Sequence, residues 1–220
     1  MPQRQVKERT YQIVLTGSLN PQIFQPAWFA AKGLVRPSEA EGAKVKVIHQ
    51  SVADFQIDWA YIQVLVDRFS ATTKDDGCDD LLKDLVVGVF KILGETPVAA
   101  VGINSTIHFQ VEDTKVWNAI GHKLVPKDPL WSKILKEPGT RSLTIEGKHP
   151  DGSKGQVRVR VEPSNVYPTC IYSDVNYHYD VTDNSGKMGT GLAASRLLEE
   201  KWKESADSAN KIFGTLMTDL

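Results

Sequence analysis

Val98-Ala99-Ala100-Val101-Gly102-Ile103-Asn104-Ser105-Thr106-Ile107-His108-Phe109-Gln110-Val111 carries a long two-residue alternation. Val101, Ile103, Ile107 and Phe109 alternate with Asn104, Thr106, His108 and Gln110. Neighbouring side chains of a strand point to opposite faces, so the pattern predicts one long strand with an apolar and a polar side. A sheet that keeps one face wet is typically antiparallel, since crossover helices cover both faces of a parallel one. The expected class is α+β, an antiparallel sheet with helices packed on one face.

The same signals recur outward from this strand. Tyr11 to Thr16 reads as a strand closed by the turn Gly17-Ser18-Leu19-Asn20-Pro21. Val45 to His49 and Phe55 to Ser70 are rich in β-branched and aromatic residues, and Phe55, Ile57, Trp59 and Tyr61 alternate with Gln56, Asp58 and Ala60. Ser142–Glu146 and Gln156–Glu162 flank a Pro-Asp-Gly turn and predict a hairpin. In a further strand, Ile171 to Val181, Tyr177 and Tyr179 oppose Asn176 and His178. Helical spacing marks Pro26–Gly33, Leu82–Leu93 behind the Asp75–Asp80 break, Asp113–Leu124, a short turn at Lys127–Trp131, and a long helix from Leu192 to Met217.

Laid end to end, the order is β-α-β-β-α followed by β-α-β-β-β-α. A single domain over residues 1–220 is expected, with possible internal halves at 8–96 and 97–220. Trp28-Phe29-Ala30 and Trp117-Asn118-Ala119 stand at equivalent places. An internal duplication and a recurrence of a common α+β order both account for this. Under the first, one sheet would run through both halves, in an arrangement similar, by element order alone, to the saddle of TATA-binding-protein-like folds.

Of the 220 residues 41% are hydrophobic and 24% charged, which excludes wholesale disorder. Met1 to Arg9 is polar and charged, and the apolar run Leu85–Phe90 is far shorter than a membrane span. Two cysteines, Cys78 and Cys170, suit neither a disulfide framework nor a metal site. A cytoplasmic location is the expectation, with no membrane association. Net charge is −1 but uneven: residues 115–160 carry ten Lys/Arg against four Asp/Glu, and residues 51–114 carry four against eleven. Opposite blocks favour head-to-tail association or the meeting of two surfaces within one protomer. Nothing signals general nucleic-acid affinity, which scales with neutralised phosphates.

No catalytic, metal-binding or nucleotide-binding signature stands out. The loop Gly186-Lys187-Met188-Gly189-Thr190-Gly191 lacks the tight strand-to-helix turn of a dinucleotide fingerprint and reads as a mobile linker. Two-histidine phosphoesterases need a hydroxyl residue two places after each histidine; here Gln110 follows His108 and Asp180 follows His178. The polar alternation does nominate one surface for a ligand: His108, Arg158, Arg160, Asp174, Asn176 and His178. Paired arginines can grip a phosphate or carboxylate, and a carboxylate can fix an imidazole tautomer. A solvated sheet face carries the same pattern without any function. No catalytic residue, metal or cofactor is assigned.

On the last helix Leu198, Trp202, Ala209 and Leu216 approach a heptad stripe interrupted by Ser205, which suits either the chain's own core or a partner. The leading expectation is a non-enzymatic interaction or adaptor protein that self-associates or serves as a subunit of a larger complex. A small-ligand or nucleotide sensor on the polar face is the alternative, and a hydrolase using His108 or His178 with Asp174 is the third.

The segments Ile107-His108-Phe109, Trp117-Asn118-Ala119-Ile120-Gly121-His122, Arg158-Val159-Arg160-Val161-Glu162-Pro163-Ser164 and Val175-Asn176-Tyr177-His178-Tyr179 give the chain a resemblance to sporadically distributed bacterial proteins of about this length. The resemblance spans most of the chain and implies no activity and no site residues. Such a distribution is compatible with a role in defence.

Overall fold

The computed structural model describes residues 4–128, 130–183 and 185–219. The N-terminal residues 1–3, Pro129 in the expected helical turn and Asn184 before the glycine-rich loop lie outside the described residues. Element order is β1 (Val6–Gly17), a 3-10 turn (Pro21–Ile23), α1 (Pro26–Ala31), α2 (Pro37–Glu41), β2 (Lys44–Ile48), β3 (Val52–Gln56), β4 (Tyr61–Leu65), β5 (Arg68–Thr73) and α3 (Asp79–Ile92). It continues with β6 (Pro97–Gln110), α4 (Thr114–Leu124), α5 (Trp131–Ile134), β7 (Leu143–Gly147), β8 (Gly155–Pro163), β9 (Cys170–Asp180), β10 (Gly189–Thr190) and α6 (Gly191–Asp219).

The strands form one antiparallel ten-stranded sheet in the order β2-β3-β4-β5-β1-β6-β9-β8-β7, with β10 added beside β6. The class is α+β, as the alternation in β6 implies. The two longest strands, β1 and β6, pair at the centre, with Ile13 opposite Ile103. To either side the order runs outward through the later strands of each half, so β5 flanks β1 as β9 flanks β6.

One face of the sheet is apolar and carries the helices. Ile13, Leu15, Phe69, Val101, Ile107, Phe109, Val175, Tyr177 and Tyr179 are buried there. Phe24, just after the 3-10 turn, packs on Phe69 with the rings tilted by 48°, and Phe29 of α1 packs edge-to-face on Phe55. From α3, Phe90 meets Phe69 at 5.2 Å and 89°. The acidic start of α3 is favourable to the helix dipole, although Cys78 at its N-cap makes no side-chain cap. Asp113 does cap α4, accepting from the Val116 N–H at 2.9 Å.

Helix α6 crosses the same face, and this corrects its reading as an interaction helix. Leu198, Trp202 and Ala209 are buried and Leu216 packs against the core, so the chain itself occupies the stripe. Ser205, which breaks the heptad, accepts or donates a 2.8 Å hydrogen bond with buried Tyr179, and Ser208 accepts one from Tyr177 at 2.5 Å. Trp202 Nε1 donates to Asp80 on α3 at 2.9 Å. The hydroxyl positions match the tyrosines of β9, which is why polar residues interrupt the apolar run.

Two further expectations change. The stretch Phe55–Ser70 is not one strand but parts of three: the Ile57 N–H bonds the Ala60 carbonyl at 2.9 Å and closes a tight turn between β3 and β4, and Val66 and Asp67 separate β4 from β5. The glycine-rich loop is not a linker. Asp183 Oδ1 accepts from Ser185 and Lys187, and β10 then pairs with Pro97 and Val98. At Gly189 a Cβ would stand 2.5 Å from the Val181 side chain, so glycine is needed for that approach.

Candidate functional site

The face opposite the helices is open and polar across nearly its full width. Gln56, Tyr61, Thr72, Gln12, Asn104, Asn176, Arg158 and Glu146 stand directly across from one another on successive strands from β3 to β7. Much of the row is hydrogen bonded sideways: Asn176 donates to Asn104, and Gln12 Nε2 to Ser70 and Thr72 at 3.2 and 3.1 Å. On the first half's side Tyr61 and Gln63 donate to Asp54 at 2.6 and 3.1 Å, with Lys46 3.7 Å away. Burial alone would raise the Asp54 carboxyl, but these donors and the Lys46 charge hold it below its ordinary range.

All six residues nominated for a ligand lie on this face, and the register separates them. Arg160 stands opposite Asp174, Arg158 opposite Asn176, and His108 opposite Tyr172. His178 stands opposite Gly102, six residues along β6 from His108. At about 3.4 Å per residue the two imidazoles are ~20 Å apart, although their strands are neighbours. His178 lies 3.3 Å from Asp180 rather than beside Asp174. The set therefore splits, and His108, His178 and Asp174 do not converge. Among the described residues no three His, Cys, Asp or Glu side chains are grouped to hold a metal ion.

The arginines are committed too. Arg158 donates through Nε and Nη2 to one Glu146 oxygen at 3.1 and 2.8 Å. Arg160 donates to the Tyr172 hydroxyl at 3.1 Å, stacks over that ring, and lies 3.8 Å from Asp174 and 3.9 Å from Glu162. Its Nε is buried and, among the described residues, has no hydrogen-bond partner. Burial raises the Asp174 carboxyl above its usual value, and Arg160 opposes this only in part.

Around His108 a second cluster forms from residues that no periodicity marks. Its ring is buried between Tyr167 and Tyr172, at centroid distances of 5.3 and 5.0 Å. Ser164 Oγ accepts the backbone N–H groups of Val166 and Tyr167 at 3.2 and 2.9 Å, and lies 2.9 Å from His108 Nδ1. With both lone pairs of that oxygen used, its hydroxyl proton points at Nδ1, which is unprotonated. Burial lowers the imidazole pKa, against the attraction of Glu8. Glu8 itself accepts from Tyr167 and Lys74 at 3.0 Å each. Desolvation of Glu8 is outweighed by these two partners, and its pKa falls. Each group here holds another in place; His108 acts as a buried hydrogen-bond acceptor.

A different kind of surface lies at α5. Leu130, Trp131, Ile134 and Leu135 are 60, 42, 64 and 53% exposed, an apolar ridge on one short segment. The signal was present in the sequence as four large apolar residues among Lys127, Lys133 and Lys136. Scattered apolar residues are ordinary on a surface; here four lie together within six residues. No known protein-family model matches the chain, and no curated protein matches it.

Proposed function

We propose that this chain is a non-enzymatic interaction protein that docks a protein partner, or a second copy of itself, through the ridge Leu130, Trp131, Ile134 and Leu135. The exposure of that ridge carries the reading. Tryptophan is among the residues that dominate binding energy at protein interfaces, and the fully buried core of an interface is apolar. The ridge sits in the basic block 115–160, so an acidic partner surface complements it. The chain's own acidic block supplies one, where Leu81 and Ile92 are exposed on α3, and a ridge-to-α3 contact would be head-to-tail. A reducing cytoplasm, in which Cys78 and Cys170 stay thiols, fits this role.

Light scattering on a sizing column, across protein concentration and salt, together with pull-down, tests it. A concentration-dependent increase in mass, or a captured partner, is expected, and Trp131→Ser with Ile134→Ser should abolish it without lowering Tm. A monomer under all conditions with no partner recovered would sink the proposal. A second reading rests on the Arg160 guanidinium, whose side chain is part-exposed on the open face: a small anionic ligand bound there. Thermal-shift measurements with nucleotides and dicarboxylates test it, and no stabilisation, with Arg160→Ala silent, removes it.

A further inference from the structure

Between α4, the 137–140 loop and the ends of β8 and β9 lies a cavity of about 620 Å³. Its size is that of a small-molecule site. Trp117, Ile120, Leu124, Val161 and Ile171 give it apolar walls. Lys127 is 7% exposed and forms part of the same lining. Its ammonium donates to the carbonyls of Gly121 and Val125 and to Thr140 Oγ1. These partners are all neutral, and among the described residues no carboxylate lies within ion-pairing distance of Lys127. A buried charge is normally paired. This one is solvated by dipoles alone, and burial pushes its pKa down.

The hydrogen bonds explain how Lys127 is held, since its ammonium satisfies carbonyls at the C-terminal end of α4, where a cation also suits the helix dipole. They leave its positive charge without an ion-pair partner beside a cavity whose walls are mostly apolar; the two carboxylates of the lining, Glu137 and Glu162, lie outside ion-pairing distance of it, and Glu162 is turned to Arg160 at 3.9 Å. Glu137, on the cavity's loop side, holds a left-handed backbone at φ 51°, a conformation costly for a residue with a Cβ.

We propose that this cavity is a binding site for a small apolar carboxylate, whose hydrocarbon or aromatic body fills the space between Trp117, Leu124 and Ile171 and whose carboxylate faces Lys127. The site is separate from the α5 ridge and stands whether or not that ridge docks a partner. An acid suits the cavity better than an alcohol or an amine. An alcohol brings no counter-charge, and an amine brings a second positive charge into a low-dielectric space.

Naphthalene-1-acetate, 1-naphthaleneethanol and 1-naphthylmethylamine share one ring system and differ in charge. Titration of the full chain with each, by calorimetry and thermal shift, tests the proposal. The acid should bind at least about tenfold more tightly than the alcohol, and the amine more weakly still. Asn118→Phe, at an exposed position lining the cavity, should block the acid while Tm without ligand is kept. Lys127→Met should erase the preference, so that acid and alcohol bind alike, whatever its effect on stability. Equal binding of acid and alcohol to the unaltered chain, acid binding untouched by Asn118→Phe, or no binding of any of the three would each overturn it.

Discussion

The His149 ring lies nearly parallel to that of Tyr179, with centroids 4.2 Å apart and 21° between the planes. The same imidazole bonds through Nε2 to the His178 carbonyl at 2.7 Å, so a residue of the β7–β8 connection is fastened to both the side chain and the backbone of β9. The pair is buried on the helix side. His149→Ala is expected to cost about 2 kcal/mol, the sum of one buried hydrogen bond and one ring stack. Urea denaturation measures it, and a loss below about 0.5 kcal/mol would show that the connection is held elsewhere.

One candidate for elsewhere is the ion pair two residues on. Lys201 Nζ lies 2.6 Å from Asp151 Oδ2, tying the connection to α6. The Lys201 hydrogen bond, then those from Ser153, hold the Asp151 carboxyl well below its ordinary range. A carboxylate depressed on folding stabilises above its unfolded pKa, and that contribution fades as pH falls below about 4. A double-mutant cycle with Asp151→Asn and Lys201→Met should give a coupling of about 1 kcal/mol at pH 7, smaller at pH 3. Equal coupling at both pH values contradicts it.

For His108 the window lies higher. Burial lowers its pKa in the folded state, so the unfolded chain takes up the proton first. Stability then rises with pH through the histidine range, and is lost as pH falls from about 6.5. Protonation would also force Nδ1–H against the Ser164 oxygen, whose lone pairs serve Val166 and Tyr167. The native Tm should fall between pH 7 and pH 5.5 more steeply than that of His108→Gln. Identical slopes would mean that the ring is protonated without cost.

Gly155 opens β8 at φ 118°, and a Cβ there would stand 1.9 Å from the His178 carbonyl oxygen. Gly155→Ala is therefore expected to destabilise by more than about 2 kcal/mol, since both the dihedral and the contact oppose it. A Cβ at Gly139 would meet nothing within 4 Å among the described residues, and Gly139→Ala should be close to neutral. Chemical denaturation of the two variants side by side is the check.

What was legible in the chain was what a two-residue period reports. Every residue nominated for the polar face is on it, because alternation assigns a face and the strands of that face all lie in one sheet. Register is a property of two strands, and it decided the rest: nothing local states that Gly102, not His108, faces His178. Alternation also misled across Phe55–Tyr61, because Ile57 is buried and Trp59 packs on the core through a turn, and their spacing imitates a strand that has already ended. On α6 the apolar stripe was visible, but a stripe does not say what covers it. Asp80 and the tyrosines of β9 did, through contacts over more than a hundred residues to Trp202 and through the hydroxyls of Ser205 and Ser208. The cluster around His108 drew on Glu8 and Tyr167, which are far apart in the chain and carry no pattern.

The central pairing of β1 with β6 sets a schedule for synthesis. Ile13 finds its partner in Ile103, 90 residues further on, so β1 leaves the ribosome with one edge unfilled. At roughly 5–20 residues per second that edge waits roughly 5–20 s, while β5 can already close the other side. An unpaired strand edge recruits whatever extended backbone it meets. The nascent first half is thus a species that a chaperone can recognise, and a cell that slows translation between α3 and β6 lengthens its exposure.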